Sequence, residues 1–314
     1  MPVQVVTGGA GFIGSHIVER LLRDGEDVVL VDDFSTGHEE NITDFQSHPR
    51  LRIERISILQ KETLGEILKG AQFVFHQAAI PSVQKSVQHP LETNQVNITG
   101  TLNVLMAARQ AGVKRVVYAA SSSVYGDTEA LPKSEEFLPQ PMSPYALQKY
   151  VGEIYGQLFF KLYGIETIAL RYFNVFGPRQ DPTSEYSAVI PRFVTAMLKG
   201  EAPVIYGDGE QSRDFTYIDN VVEANMKAAH APPAAGQVMN IGVGDRISLN
   251  QIVKTLNEVL GTRIDPRYDS ARPGDVKHSQ ASIERARHLI GYKPLVDFKT
   301  GLKRTVEWYS RRRN

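Results

Sequence analysis

The chain has no cysteine among its 314 residues. Disulfides, thiolate nucleophiles and cysteine-ligated zinc or iron–sulfur centres are therefore excluded. No apolar run approaches the roughly 20 residues that a membrane-spanning helix needs. Neither sign of charge is in excess. The 35 basic residues balance 35 acidic ones, so no global field draws the chain to nucleic acid or to an anionic membrane. Its one basic run, Arg311-Arg312-Arg313, reads as a solvated tail. The N-terminus leads straight into a glycine turn, without a basic n-region, an apolar h-region or a cleavage site. A cytoplasmic location is the expectation, and no residue set suggests a metal site.

What is present has a regular order. Short β-branched runs at 3–7, 27–31, 51–56, 72–76, 115–120 and 167–171 read as buried parallel strands. Helical patterns lie between them at about 12–24, 61–69, 97–111 and 143–163. This alternation predicts an α/β fold, a Rossmann-like doubly wound parallel sheet. After Arg171 the pattern loosens, with a helix at 190–198, a strand at 238–243 and helices at about 249–260 and 302–310. A cofactor domain over 1–174, with returning segments at about 213–243, and a smaller C-terminal α/β substrate-binding lobe over 175–314 are expected.

Gly8, Gly11 and Gly14 sit at G-x-x-G-x-x-G spacing between the first strand and the first helix. Missing side chains there allow a tight turn, close approach of a pyrophosphate, and tight packing of helix on strand. That context makes the motif a dinucleotide site rather than a bare turn. Asp32 follows at the end of the second strand, where a carboxylate accepts adenosine ribose hydroxyls and repels a 2′-phosphate, so NAD is expected over NADP. Asp33 stands beside it as a turn residue. The fourth strand ends in His76-Gln77-Ala78-Ala79, whose small residues suit a nearby cofactor, while His76 reads as a packed core histidine. Asn97 opens a helical pattern as a cap or a buried anchor.

Tyr145 and Lys149 are four residues apart, on one face of a helix. An ammonium near a phenol lowers the phenol pKa, which makes Tyr145 a candidate acid/base, although a lone pair at this spacing is usually a solvated helix edge. Ser121-Ser122-Ser123 ends the fifth strand, where one hydroxyl is placed to relay a substrate proton to Tyr145. There is no G-x-S-x-G and no following triad pattern, so a serine hydrolase is disfavoured.

The glycine motif, Asp32, Ser121, Tyr145 and Lys149, in this order, resemble the extended short-chain dehydrogenase/reductase family, and within it the UDP-hexose 4-epimerases. The resemblance covers essentially the whole chain, with support from Arg171-Tyr172-Phe173-Asn174-Val175-Phe176-Gly177, Gly207-Asp208-Gly209, Arg213-Asp214-Phe215 and Arg272-Pro273-Gly274-Asp275. It implies Tyr145 as acid/base at the sugar O4 with Ser121, and Lys149 holding the nicotinamide ribose. Phe12 and Ile13 would present N–H groups to the pyrophosphate, with Ala78, Asn97 and Phe173 also at the cofactor. Asn174, Val189, Tyr206, Arg213, Arg272 and Asp275 would hold UDP, and Ser82, Ser122 and Ser123 would flank the sugar. It also implies a homodimer, joined through the helices at 97–111 and 143–163.

Two positions separate family members. Dehydratases of this fold use an Asp-Glu pair where this chain has Ser122 and Ser123, and decarboxylases place a glutamate at Ser123. Removing water needs a base and an acid that two serines do not supply. Ser279 matches the wall near the sugar 2-substituent, where a small residue leaves room for an N-acetyl group. Pro81 departs from the glycine common in that branch. The expected activity is an NAD-dependent 4-epimerase of UDP-GlcNAc and UDP-GalNAc that also admits UDP-Glc and UDP-Gal. A preference for the plain sugars, a net oxidoreductase releasing NADH, and a silent NAD sensor are the alternatives.

Overall fold

The computed structural model describes residues 3–182, 188–270 and 277–312. Arg272 and Asp275 lie outside the described residues. Six strands of the first half are Val3–Thr7 (β1), Asp27–Val31 (β2), Leu51–Glu54 (β3), Ala71–His76 (β4), Arg115–Ser121 (β5) and Glu166–Tyr172 (β6). Five of them are largely apolar runs buried on both faces, as a sheet covered by helices on both sides requires, while β3 at the edge is only half-buried. With Val238–Ile241 they form a seven-stranded sheet, pairing in parallel throughout. From one edge the order is Val238–Ile241, β6, β5, β4, β1, β2, β3. The chain reverses direction across the sheet between β1 and β4, the crevice where such folds bind ligands.

The helix Pro144–Tyr163 carries the most chemistry. Ser143 caps it by accepting the Ala146 N–H at 3.1 Å, and Pro144 stands in the first turn, where its missing N–H costs nothing. Gly164, in the left-handed region at φ 74°, ends it. A Cβ on Gly152 would stand 2.3 Å from the Tyr118 hydroxyl oxygen, so this helix lies directly on β5. Glu153 fixes it to β6 through a buried two-pronged contact with Arg171, at 2.9 and 2.7 Å. The packing sets Tyr145 and Lys149 near the carboxyl end of β5.

Five stretches differ from the sequence expectation. Ile218–His230 is a helix, unread because its inward face mixes Ile218, Val221 and Val222 with alanines and the buried Asn220 and Asn225. The 97–111 helix begins in a wider turn at Gln95–Gly100, so Asn97 lies inside it and is not its cap. Short helices Val83–Gln88, Pro90–Asn94 and Glu284–Ile290 were also unread. Among the described residues no helix is long and apolar enough to cross a membrane.

Beyond β6 the strands outside the large sheet are short. Val175–Phe176 pairs with Thr216–Tyr217, and Ser212–Arg213 lies between Ile247–Ser248 and His278–Ser279. One carboxylate joins these pieces to the sheet. Asp214 Oδ1 accepts the Val243 N–H at 2.8 Å, and Oδ2 accepts Gly244 at 2.9 Å and Ala281 at 3.2 Å. These donors favour the anion, yet burial dominates and pushes the carboxyl up to about 6, which still leaves it ionised at neutral pH. In Asp214→Asn, the amide NH2 must face N–H donors whichever way it turns. Urea unfolding of that variant is expected to show a loss of about 2–3 kcal/mol.

Candidate active site

A cavity of about 930 Å³ opens at the carboxyl ends of the strands, and it gathers most of the residues singled out from the sequence. At one end Gly8, Gly11, Phe12, Ile13 and Gly14 line it. A Cβ on Gly14 would stand 2.0 Å from the Gly8 carbonyl oxygen, and one on Gly8, at φ +70°, would stand 2.6 Å from the Ala78 nitrogen. Only glycines allow this turn to fold against the end of β4, where Ala78 also faces the cavity. The helix Phe12–Arg23 (α1) starts here with no side-chain cap, so its first N–H groups remain for an anionic ligand. That cradle fits the pyrophosphate of a dinucleotide.

Asp32 and Asp33 line the same end. The Asp32 oxygens accept the Ala10 N–H at 2.9 Å and the Phe34 N–H at 2.8 Å, which fixes the plane of the carboxylate. Each oxygen retains a lone pair for a ribose hydroxyl. Burial raises the Asp32 pKa, with the two backbone bonds opposing it. Asp33 accepts the Ser35 N–H at 3.0 Å and shapes the turn.

At the centre are Ser121, Tyr145 and Lys149. The Tyr145 backbone N–H is held by Ser86 Oγ at 3.0 Å, and its phenol shares the cavity with Ser121, which favours the phenolate. Ser121 Oγ accepts from Ser123, from its N–H at 3.2 Å and its hydroxyl at 2.9 Å. Lys149 is buried, and its ammonium donates to the Ala119 carbonyl at 2.8 Å. Its Nζ stands 6.0 Å from the Tyr145 ring centroid. Here the sequence expectation is corrected. The Tyr145 phenol is pushed up to about 12, because burial outweighs the effect of Ser121. Lys149 moves the other way, down to about 8, through burial, with Glu153 opposing. At 6.0 Å from the ring the ammonium does not offset what desolvation costs the phenolate.

The far end is walled by Ser82, Ser122, Ser123, Asn174, Arg213 and Ser279. Ser82 caps Val83–Gln88 through the Lys85 N–H at 3.0 Å. Asn174, at φ 26°, donates to the Asp214 carbonyl at 3.4 Å, and Arg213 is tied to the Ser212 and Lys277 carbonyls. Val189 lines an adjoining cavity of about 230 Å³ that shares Asn174 and Arg213.

Three predicted residues do not reach either cavity. Asn97 is buried, clamping the Ile80 N–H at 2.8 Å and the Ile80 carbonyl at 3.1 Å, so it shapes the loop after β4 from behind. Phe173 packs on Tyr125 in the core, with ring centroids 6.2 Å apart. Tyr206 lies in the strand Val204–Tyr206 and offers its carbonyl to Gln211. Conversely, Lys133 and Arg179 line the cavity without a sequence signal, each an isolated basic residue in an irregular stretch. His76 is the packed histidine expected, held between Thr7 Oγ1 at 2.7 Å and Thr101 Oγ1 at 3.0 Å. Burial pushes it down to about 3, so it stays neutral. Among the described residues no cluster of metal ligands exists.

Comparison with known proteins agrees with this geometry. A UDP-N-acetylglucosamine 4-epimerase from Methanobrevibacter ruminantium, in complex with UDP-N-acetylmuramic acid, is 43% identical over 99% of each chain, with a TM-score of 0.95. The UDP-glucose 4-epimerase of Thermotoga maritima with UDP-glucose is 37% identical, covering 99% of this chain and 100% of that one, with a TM-score of 0.94. The Thermus thermophilus UDP-glucose 4-epimerase, in complex with NAD, is 34% identical, covering 98% of this chain and 99% of that one, with a TM-score of 0.87. Residues 4–242 match the family described as NAD dependent epimerase/dehydratase. Its cofactor is NAD. This chain belongs to that family, as a UDP-sugar enzyme of the extended short-chain dehydrogenase/reductase type.

Proposed function

We propose that the chain is a 4-epimerase interconverting UDP-GlcNAc and UDP-GalNAc, and admitting UDP-Glc and UDP-Gal. The observation that carries the reading is that Ser121, Tyr145 and Lys149 line one cavity with the glycine turn and the small Ser279. NAD, when bound, takes up hydride from the sugar C4 and returns it. Added to the Lys149 ammonium, the positive charge of bound NAD would favour the Tyr145 phenolate, which then takes the O4 proton and gives it back, with Ser121 bridging the phenol to the sugar hydroxyl. Lys149 keeps positive charge behind that proton. Its stem and Ala119 bond hold it close to where the nicotinamide ribose would lie. Epimerisation requires the hexose to present both faces while UDP stays fixed. Arg213 serves the diphosphate, and the hydroxyls of Ser82, Ser122 and Ser123 leave the sugar room to turn. With serines at 122 and 123, no group is suited to expelling water, which favours epimerase over dehydratase.

A second reading, limited to UDP-Glc and UDP-Gal, draws support from Pro81, which lines the same cavity where the acetylated branch often has glycine. A panel of the four UDP-sugars separates the two. Turnover of UDP-GlcNAc is expected, and its absence beside active UDP-Glc turnover would sink the first reading. Ser279→Tyr should lower UDP-GlcNAc turnover by roughly 10–200-fold and spare UDP-Glc.

We also propose a homodimer through the stripe Leu147, Ile154, Leu158 and Leu162, which Pro144–Tyr163 leaves exposed. Light scattering of the purified chain should return twice the monomer mass; a monomer at micromolar concentration would refute this.

For the proton step, Tyr145→Phe is expected to cut turnover by about 10²–10⁴-fold while bound NAD is retained. In the wild-type chain, Lys149 loses its charge as pH rises through about 8, so the kcat/KM profile should fall on that alkaline side. A flat profile to about pH 10, where a free tyrosine would titrate, or an active Tyr145→Phe, contradicts these roles.

A further inference from the structure

The loop after Val175–Phe176 contains a feature that the proton chemistry does not use. Arg179 sits at φ +65°, a region a non-glycine residue seldom occupies unless its surroundings impose it. Its guanidinium is buried although charged, at 8% exposure. One terminal nitrogen pairs with the Glu19 carboxylate on α1 at 2.6 Å, and the group lies 5.5 Å from the Phe45 ring centroid. The neighbouring residues are tied down as well. His16, pushed down to about 3 by burial and by Arg179, is neutral and donates from Nε2 to the Pro178 carbonyl at 3.1 Å. Tyr309 donates to the Gln180 carbonyl.

This loop faces the cofactor end of the cavity. Arg179, Gln180 and Asp181 line it, as do Thr36, His38 and Asn41 from the stretch that follows Asp32. Asp181 approaches His38 to 3.9 Å, which brings the two stretches together. A dinucleotide whose ribose bonds Asp32 would lie beside both walls, so the hold of the 178–181 loop bears on how readily it leaves.

We propose that Arg179 is a positioning residue that clamps loop 178–181 onto α1, and that this clamp sets how fast NAD leaves. The physical reason is asymmetry. A buried guanidinium is costly without its carboxylate, so removing Glu19 drives the loop off the helix, while removing Arg179 takes away the tie itself. The proposal concerns the cofactor and holds whichever UDP-sugar is turned over.

The test follows NAD release from loaded, gel-filtered protein into an NAD-consuming dehydrogenase trap. Arg179→Gln and Glu19→Ala should release NAD faster, on the order of tenfold, since interface changes act mainly on dissociation. Arg179→Lys, which keeps the charge, should fall between them and wild type. Arg304→Gln removes the exposed Asp219 pair, 3.0 Å long, and should leave release unchanged. Wild-type release in Arg179→Gln overturns the clamp, as does equal acceleration in Arg304→Gln. If Arg179→Gln fails to fold, Glu19→Ala decides, because Glu19 is half-exposed and its loss leaves the core intact.

Discussion

Asp214 gathers the N–H groups of Val243, Gly244 and Ala281 at one buried point. Val243 and Gly244 follow the last sheet strand, and Ala281 follows the small strand His278–Ser279. The Asp214 N–H in turn donates to the Ser279 carbonyl at 2.8 Å. Arg213 and Ser279, both facing the cavity, are thereby set in register with the sheet that carries the cofactor cradle. The alternative for those donors is burial without a partner, which folded proteins avoid. The relative position of the two ends of the cavity is thus governed partly by Asp214, which does not line it.

A second theme is burial acting on charge. Tyr145 is raised, while Lys149 and His76 are lowered, and in each case desolvation is the leading cause. Neutral forms are favoured throughout the interior, so a charged intermediate gains most from charges brought close by a ligand. In the same helix–strand pair burial also raises Glu153, and its two parallel hydrogen bonds to Arg171 oppose that rise. Arg171 also lies over the Tyr125 ring, 4.8 Å from its centroid, and Tyr125 donates to Asn240 at 2.7 Å. The helix that bears Tyr145 is therefore tied across the sheet to its edge strand.

Much of this was legible in the sequence where local pattern and chemistry coincide. The glycine turn, Asp32 and the Tyr145/Lys149 pair each combine a spacing with a structural context, and all line one cavity. Legibility failed where function passes through tertiary packing. Asn97 and Phe173 stand in segments with functional neighbours, yet one holds Ile80 and the other fills the core. Arg179 carries no spacing rule, since its partner Glu19 is distant in sequence. The sign of the Tyr145 shift was also out of reach. Helical spacing places an ammonium near a phenol, but it does not report how much water is excluded around both. The helix Ile218–His230 escaped because buried asparagines, Asn220 bonding to the 295–296 backbone and Asn225 to Tyr172, replaced the expected apolar residues.

The position of Val238–Ile241 at the sheet edge has a consequence for how the chain is made. That strand covers β6, pairing Val238 with Ala169 and Ile241 with Tyr172, although the short strands Val204–Tyr206 and Ser212–Arg213 come between them in the chain. On a translating ribosome, β6 emerges well before its outer neighbour. Until residue 241 has left the exit tunnel, β6 presents a bare row of N–H and C=O groups, the kind of edge that pairs with other chains. The cofactor cradle, built from β1, α1 and β2, lies on the other half of the sheet and is finished much earlier. A nascent chain thus holds a complete dinucleotide turn while its sheet still lacks an edge.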